Sequence, residues 1–259
     1  MDKGNANELP TKVNLFVTCL VDQFAPKVGM SVVNILEALG MEVHFPPDQT
    51  CCGQPAFNSG FRNDARPVAS RFLDIFEETE GPIVCPSGSC VAMVRNFYQD
   101  LFRGNPNELA RAARLSDRIY EFTEFIVDVL GIEDLEVRSD INATYHRCCH
   151  LLRELHIDEQ PTSLLGNVEG LTLKPMERNE VCCGFGGAFS VKMSDVSTAM
   201  LNEKLDNVVA TGASTLIAGD TGCIMHMQGG LRRRGEDVQV IHIAELLDSD
   251  SELNRAARQ

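Results

Sequence analysis

A pattern of cysteines that occurs twice places the strongest constraint on the fold of this 259-residue chain. Each occurrence has a single cysteine, then a Cys-Cys-Gly sequence, and then another single cysteine. The members are Cys19, Cys51, Cys52 and Cys90 in the first occurrence and Cys149, Cys182, Cys183 and Cys223 in the second. Corresponding positions are 130, 131 and 133 residues apart. Because cysteines scattered through a core would not keep three spacings so nearly equal, the pattern indicates duplication of one domain with a cysteine site in each copy.

Hydrophobic periodicity and the positions of Gly and Pro predict strands that alternate with helices. The predicted strands cover residues 12–18, 41–45, 82–85, 143–146, 171–174, 215–218 and 238–241, and the predicted helices cover residues 25–39, 63–78, 91–102, 107–130, 194–211 and 224–233. Such alternation predicts an α/β fold with mostly parallel sheets. The acidic segment of residues 132–142 interrupts it. We therefore expect two similar α/β domains, over residues 1–136 and 137–259.

The repeated cysteines follow the ends of predicted strands. In the first copy, Cys19 closes the first strand, the doublet follows the second strand and Cys90 follows the third. Functional groups in parallel α/β sheets gather at the carboxyl edge of the sheet. We therefore expect each copy to bring its four cysteines together at that edge. Gly53 and Gly184 directly follow the doublets, where a glycine lets the backbone pass close to a bulky inorganic centre.

Charge and hydropathy exclude several classes of partner. The formal net charge of −14 disfavours nucleic acid and anionic membrane surfaces, because both are bound by basic faces. No stretch reaches the roughly 18 uncharged apolar residues of a transmembrane helix, and the polar N-terminus lacks the apolar run of a signal peptide. The sequence therefore predicts a cytoplasmic protein. In that reducing compartment, ten cysteines indicate metal ligands or redox groups rather than disulfides.

Four converging thiolates suit either zinc or an iron–sulfur cluster. Structural zinc usually takes its ligands from two short knuckles, whereas each set here spans about 70 residues and includes an adjacent pair. Two neighbouring cysteines fit poorly at two corners of one tetrahedral zinc site, and a larger cluster offers several metal atoms. The spacing therefore favours iron and sulfide, with zinc as the alternative.

Longer motifs carry a family resemblance. The segments TCCGQPAFNSG and VCCGFGGAFSVKM resemble the CCG (cysteine-rich) domain found in heterodisulfide reductase and in the iron–sulfur subunit of glycolate oxidase. LFVTCLVDQFAPKVG, CPSGSC, YHRCCHLLREL and VIHIAELL resemble the lactate utilization protein A family, and the likeness runs from about residue 13 to residue 247. The resemblance implies an iron–sulfur protein that acts with two partner subunits in oxidising L-lactate to pyruvate. This chain would be the electron-transfer subunit of that L-lactate dehydrogenase-type complex, with no catalytic residue of its own.

The chain departs from the heterodisulfide reductase pattern at the end of each set. That pattern ends in C-x-x-C and supplies five cysteines to a non-cubane cluster. Here the first set ends Cys85-x₄-Cys90, and the second has only Cys223. We therefore expect a four-thiolate cluster of the [4Fe-4S] type in each half, or one incompletely occupied site, rather than a non-cubane cluster. Cys85 and Cys148 have no counterpart in the other half, and we expect both to be structural, because free cysteine is among the most buried residue types.

Three further side chains are weaker candidates for the metal site: Cys85, His146 and His150. The two histidines flank Cys149 and could supply a ligand or a hydrogen bond to sulfur. Two other functions stay open. One is a zinc-binding scaffold subunit, and the other is thiol–disulfide chemistry like that of heterodisulfide reductase.

Overall fold

Two four-stranded parallel sheets form the framework of the protein, in a computed structural model that describes residues 9–249. The first sheet has the order β2-β1-β3-β4 and the second the order β6-β5-β7-β8. The strands are β1 (Lys12–Leu15), β2 (Glu42–His44), β3 (Ile83–Cys85), β4 (Ile119–Glu121), β5 (Asn142–His146), β6 (Thr172–Lys174), β7 (Thr215–Ala218) and β8 (Gln239–His242). The predicted fold class, two similar α/β domains with parallel sheets, is confirmed.

Helices connect the strands in both halves. The first half contains α1 (Cys19–Phe24), α2 (Pro26–Ala38), α3 (Gln54–Asn58), α4 (Arg62–Glu77), α5 (Gly88–Ala92), α6 (Tyr98–Leu101), α7 (Pro106–Ser116) and α8 (Phe122–Glu124). The second half contains α9 (Glu159–Gly166), α10 (Ala188–Lys192), α11 (Ser194–Ala210), α12 (Thr221–Arg234) and α13 (Ile243–Leu247). Single π-helical turns cover Met93–Phe97, Phe125–Val129 and His150–Glu154. None of the helices within residues 9–249 is both long and apolar enough to cross a membrane.

Strand register makes the two halves equivalent residue by residue. Leu15 of β1 pairs with Val84 of β3, and Tyr145 of β5 pairs with Ile217 of β7. The equivalent residues in these pairs are 130 and 133 residues apart, which are the spacings of the single cysteines. The duplication inferred from the cysteines therefore extends to the strands that precede them.

The halves pack against each other through reciprocal contacts. Helix α13 of the second half packs on α2 of the first, and α8 of the first half packs on α9, the equivalent of α2. In the same way α1 packs on α12, and the π-helical turn of residues 150–154, the equivalent of α1, packs on α5. Such reciprocity is the property of an isologous interface. A single hydrophobic cluster joins the two sheets and contains Leu15 and Val84 together with Tyr145 and Ile217.

The last part of the connection between the two sheets, residues 130–141, contains no helix or strand. The boundary predicted between residues 136 and 137 lies within this connection. How far each half forms a domain of its own remains a prediction, because the shared hydrophobic cluster joins them.

The helix predicted over residues 107–130 is wrong. Helix α7 ends at Ser116, and the short strand β4 follows before α8 begins. Leu115, Ile119, Phe122 and Ile126 recur at helical spacing, so the apolar period continues across the strand. Pairing of Ile119 with Ile83 of β3 overrides that local pattern.

Candidate metal centre

The first cysteine set lies at the carboxyl edge of the first sheet. Cys19 begins α1 after β1, the doublet lies in the loop after β2, and Cys90 lies in α5 after β3. The Sγ atom of Cys19 is 3.7 Å from that of Cys51. The buried thiol of Cys52 contacts the thiols of Cys51 and Cys90, and these contacts together with burial raise its pKa. The four thiols therefore form a continuous chain of contacts.

The second set repeats this arrangement at the edge of the second sheet. The Sγ atoms of Cys149 and Cys182 are 3.9 Å apart. The thiol of Cys183 contacts those of Cys182 and Cys223. Cys223 lies in the first turn of α12, as Cys90 lies in α5.

Both sets face the same cavity. Its volume is about 380 Å³, and its walls come from both halves of the chain. The cysteines that line it are Cys19, Cys51, Cys52, Cys90, Cys148, Cys149, Cys182, Cys183 and Cys223. The structure therefore brings all eight repeated cysteines together, and it adds Cys148.

The glycine after each doublet is required by the backbone. Gly53 and Gly184 have φ of +85° and +88°, in the left-handed region. A Cβ atom at Gly53 would lie 3.2 Å from the carbonyl oxygen of Ala65, and one at Gly184 only 2.7 Å from that of Ser197. In each loop the glycine N–H donates to the first sulfur of the doublet, with N–S distances of 3.4 Å. The left-handed turn thus aims a backbone donor at a sulfur atom.

One thiol in each set is strongly acidic. A hydrogen bond from the thiol of Cys19 lowers the pKa of Cys51 to about 3. A hydrogen bond from Cys149 likewise lowers the pKa of Cys182 to about 2. The donating thiols keep their protons, because donation to the neighbouring sulfur raises the pKa of Cys19 and of Cys149. Thiolates rather than thiols bind metals, so loading either set releases protons.

A buried carboxylate connects the two sets. Asp220 caps α12 and accepts from the N–H of Gly222 at 3.1 Å. Its other oxygen accepts from the hydroxyl of Ser87 and from the N–H of Ser89 at the start of α5, each at 3.1 Å. Ser87 and Asp220 are equivalent residues, each three positions before a cysteine of the cavity. This connection was not predicted from the sequence, although the shared position before Cys90 and Cys223 was a visible signal.

The two cysteines without counterparts have different surroundings. The thiol of Cys148 lines the cavity and contacts that of Cys223. Cys85 ends β3, and its thiol donates to the carbonyl oxygen of Ser87 at 3.7 Å. The structure thus places Cys148 with the second cysteine set on the cavity wall, whereas Cys85 is fully buried and does not line the cavity. The structural role expected for both stays a prediction.

The two candidate histidines also differ. His146, the last residue of β5, is fully buried, and burial lowers its pKa to about 4. Its ring and the thiols of Cys183 and Cys223 have potential ligand atoms that all lie within 4.8 Å of one another. The Nδ1 atom of His150 is 3.7 Å from the Sγ atom of Cys149. His146 therefore lies within the second set, and His150 lies beside its first cysteine.

Comparison with known proteins places the chain in a family. The family model described as CCG: Cysteine-rich domain matches residues 13–95 and 143–228. Lactate utilization protein A 2 from Bacillus cereus (strain 03BB102) is 48% identical over 236 residues, which are 91% of this chain and 97% of that protein. The chain belongs to the lactate utilization protein A family. Lactate utilization protein A from Macrococcus caseolyticus (strain JCSC5402) is also 48% identical, over 93% of this chain and 98% of its own length.

A solved structure shares the fold of this family member. The crystal structure of a hypothetical protein from Helicobacter pylori superposes with a TM-score of 0.63 at 11% sequence identity. The superposition covers 93% of this chain and 49% of the other, so the chain spans about half the length of that protein. At this identity the likeness concerns the fold alone.

The side chains of the two cysteine sets in this lactate utilization protein A family member fit a metal that is bound by thiolates. Thiolates are soft ligands, which select zinc and iron–sulfur centres over magnesium or calcium. The Nε2 atom of His146 is buried beside the second set and has no hydrogen-bond partner within residues 9–249. A buried acceptor without a partner is costly, and a metal would provide one. The clustered cysteines therefore suit a metal or iron–sulfur centre.

Proposed function

We propose that this chain is the iron–sulfur electron-transfer subunit of a cytoplasmic complex that oxidises L-lactate. The observation that carries the proposal is the meeting of two equivalent four-thiol sets on one cavity. Relatives that are 48% identical over nearly their whole length are named lactate utilization proteins. Their name supplies the physiological role, and the cysteine geometry supplies the chemistry.

Each half would hold one [4Fe-4S] cluster. The proposed ligands are Cys19, Cys51, Cys52 and Cys90 in the first half and Cys149, Cys182, Cys183 and Cys223 in the second. Such a cluster supplies one-electron transfer when it is bound. The chain's own contribution is to hold the thiolates and to stabilise their charge through the glycine N–H groups after each doublet. Burial of Cys52 and Cys183 keeps water away from the inner side of each set.

Oxidation of the hydroxy acid is assigned to a partner protein. The carboxylate of lactate is bound most strongly by a cation, and no Lys or Arg lines the cavity within the described residues. Cysteine is the most frequent residue in the cavity wall, which also carries Gln54, Asn58 and His150. This chemistry suits the holding of sulfur-rich centres rather than the positioning of a small anionic substrate.

Metal analysis of anaerobically purified protein tests the proposal. We expect several iron atoms with matching acid-labile sulfide per chain, and a visible spectrum that is bleached by dithionite. Cys52→Ala and Cys183→Ala, which are equivalent changes, should each remove the iron and sulfide of one set and leave the other set loaded. If either variant loses the iron and sulfide of both sets, or keeps the iron and sulfide of both, the assignment of one cluster to each half is contradicted.

The same samples separate the two alternative functions. Stoichiometric zinc without sulfide, lost only when the fold is lost, would identify a zinc-binding scaffold and overturn the proposal. Release of thiols from an added heterodisulfide by the reduced, iron-loaded protein would identify chemistry like that of heterodisulfide reductase. Electron carriage alone predicts no such release.

A further inference from the structure

The second cysteine set contains a side chain that has no chemical counterpart in the first. His146 ends β5, and its equivalent is Phe16, which directly follows β1. The ring of Phe16 packs edge-on against Phe72, with centroids 4.8 Å apart, and against Phe76 at 5.6 Å. A phenyl ring, which has no donor atom, therefore occupies this place in the first set. In the second set an imidazole occupies the same place.

Hydrogen bonding fixes which nitrogen of His146 carries the proton. The Nδ1 atom lies 3.1 Å from the carbonyl oxygen of Asn179, which can only accept, so Nδ1–H is the donor. The neutral ring then leaves a lone pair on Nε2. Metal-ligating histidines are held in this manner, with the distal nitrogen anchored to a carbonyl or carboxylate.

A buried lysine binds the carbonyl that anchors the ring. Lys204 is 1% exposed, and its ammonium donates to the carbonyl oxygens of Arg178 at 2.6 Å and of Asn179 at 3.2 Å. His146 and Lys204 thus share the carbonyl of Asn179. The carbonyl of Asn179 is therefore held by two donors, and it fixes the imidazole with Nδ1 toward Asn179 and Nε2 facing away from it.

The lone pair lies among thiols rather than among polar partners. Nε2 has no hydrogen-bond partner within the described residues. One ring nitrogen of His146 and the Sγ atoms of Cys183 and Cys223 all lie within 4.8 Å of one another, and Nδ1 is already engaged by Asn179. Nε2 is therefore the nitrogen left to act as a ligand.

We infer that the centre bound by the second set has His146 as a ligand through Nε2 in place of one of the four thiolates, whereas the centre bound by the first set is held by thiolates alone. This inference rests on the proposed iron–sulfur function. Its consequence is an ordering of the two centres. Imidazole is neutral where thiolate is anionic, and histidine ligation raises the reduction potential of an iron–sulfur centre. The second centre therefore has the higher potential of the two.

Pulsed EPR on the dithionite-reduced, iron-loaded protein tests the ligand directly. We expect a strong ¹⁴N coupling from one of the two centres, which is replaced by a ¹⁵N coupling when the protein is grown with ¹⁵N-labelled histidine. This measurement needs no variant, so a substitution that fails to fold cannot obscure it. Full iron and sulfide with no strong histidine coupling would overturn the inference and leave the proposed function intact.

Variants identify the residue. His146→Cys should keep iron and sulfide, lose the nitrogen coupling and lower the potential of the centre that showed it. His150→Gln is the matched control, because His150 lies beside Cys149, and it should leave the coupling unchanged. A coupling that survives in His146→Cys, or disappears in His150→Gln, would overturn the assignment to His146.

Absence of iron and sulfide would instead contradict the proposed function, and Co²⁺ would then replace iron as the probe. The ligand-field bands of Co²⁺ bound to the protein should change in His146→Cys and remain in His150→Gln. Unchanged bands in His146→Cys would overturn the inference in that case too.

Discussion

In the first half, β1 leads into Phe16 and Thr18, whereas in the second half the equivalent positions are His146 and Cys148. The hydroxyl of Thr18 caps α1 by accepting from the N–H of Val21. Cys148 makes no such cap, and the helical turn after it is a π-helical turn. The strands and loops that deliver the four repeated thiols are the same in both halves. The comparison therefore indicates that the two copies kept the backbone that positions the thiols and diverged in the side chains around them.

Replacement of the glycine after each doublet should give the largest difference in stability between the two halves. Gly184→Ala places a Cβ 2.7 Å from the carbonyl oxygen of Ser197 and 2.9 Å from the Cβ of Met200, at a φ of +88°. Left-handed backbone and overpacking together should cost about 4 kcal/mol of the free energy of unfolding. Gly53→Ala meets Ala65 at 3.2 Å and should cost about 2 kcal/mol. Anaerobic urea denaturation measures both, and equal costs would show that the two loops tolerate side chains alike.

The residues that end the last strand of each sheet should give opposite responses to pH. Burial lowers the pKa of His242 from 6.5 to about 4, and burial raises the pKa of Glu121 from 4.5 to about 7. As pH falls from 6.5 to 4, the unfolded state protonates His242 and the folded state does not, so about 3 kcal/mol of stability is lost. As pH rises from 4.5 to 7, the unfolded state ionises Glu121 while the folded state keeps its proton, which also removes about 3 kcal/mol.

Between pH 4.5 and 6.5 these two effects nearly cancel, and single variants expose them. Glu121→Gln should make the slope of stability against pH more positive than in the unchanged protein, and His242→Asn should make that slope more negative. Urea denaturation at several pH values from about 5 to about 7 gives the slopes. If both variants shift the slope in the same direction, then either His242 is not neutral or Glu121 is not protonated in the folded protein.

Substitutions of Ser87 and Asp220, which hydrogen-bond to each other across the interface between the halves, should differ less in their cost to stability. Asp220→Ala leaves the N–H groups of Ser89 and Gly222 without their acceptor, in two different halves. Loss of this buried cap should cost about 2 kcal/mol, whereas Ser87→Ala removes one hydroxyl donor and should cost about 1 kcal/mol. Metal content should also fall in both sets for Asp220→Ala, since α5 and α12 carry Cys90 and Cys223. Loss confined to the second set would show that Asp220 serves only its own helix.

Most of the repeated features of the molecule can be predicted from the sequence alone, whereas one strand and the side chains that differ between the halves cannot. The α/β class and the meeting of eight cysteines follow from strand periodicity and from spacings that agree between copies. Strand β4 is not predicted, because Leu115, Ile119 and Phe122 keep a helical period through it. The position of Cys148 on the cavity wall is not predicted either, for another reason. Its equivalent is Thr18, so comparison of the two copies gives no signal, and only the folded loop brings its thiol to Cys223. The free nitrogen of His146 likewise depends on a carbonyl 33 residues away.

The two unmatched cysteines give the smallest expected effect on stability and the finest test of the comparison. Cys85→Ala and Cys148→Ala each remove one buried sulfur and should each cost about 1 kcal/mol. They should differ in metal binding. Cys85 itself does not line the cavity, and its thiol donates to the carbonyl oxygen of Ser87, so its removal should leave iron and sulfide unchanged. The thiol of Cys148 contacts Cys223 on the cavity wall, so its removal should alter the EPR signal of the second centre alone. An altered signal from the first centre in Cys85→Ala would mean that both halves use a fifth sulfur, and the difference between them would then lie in His146.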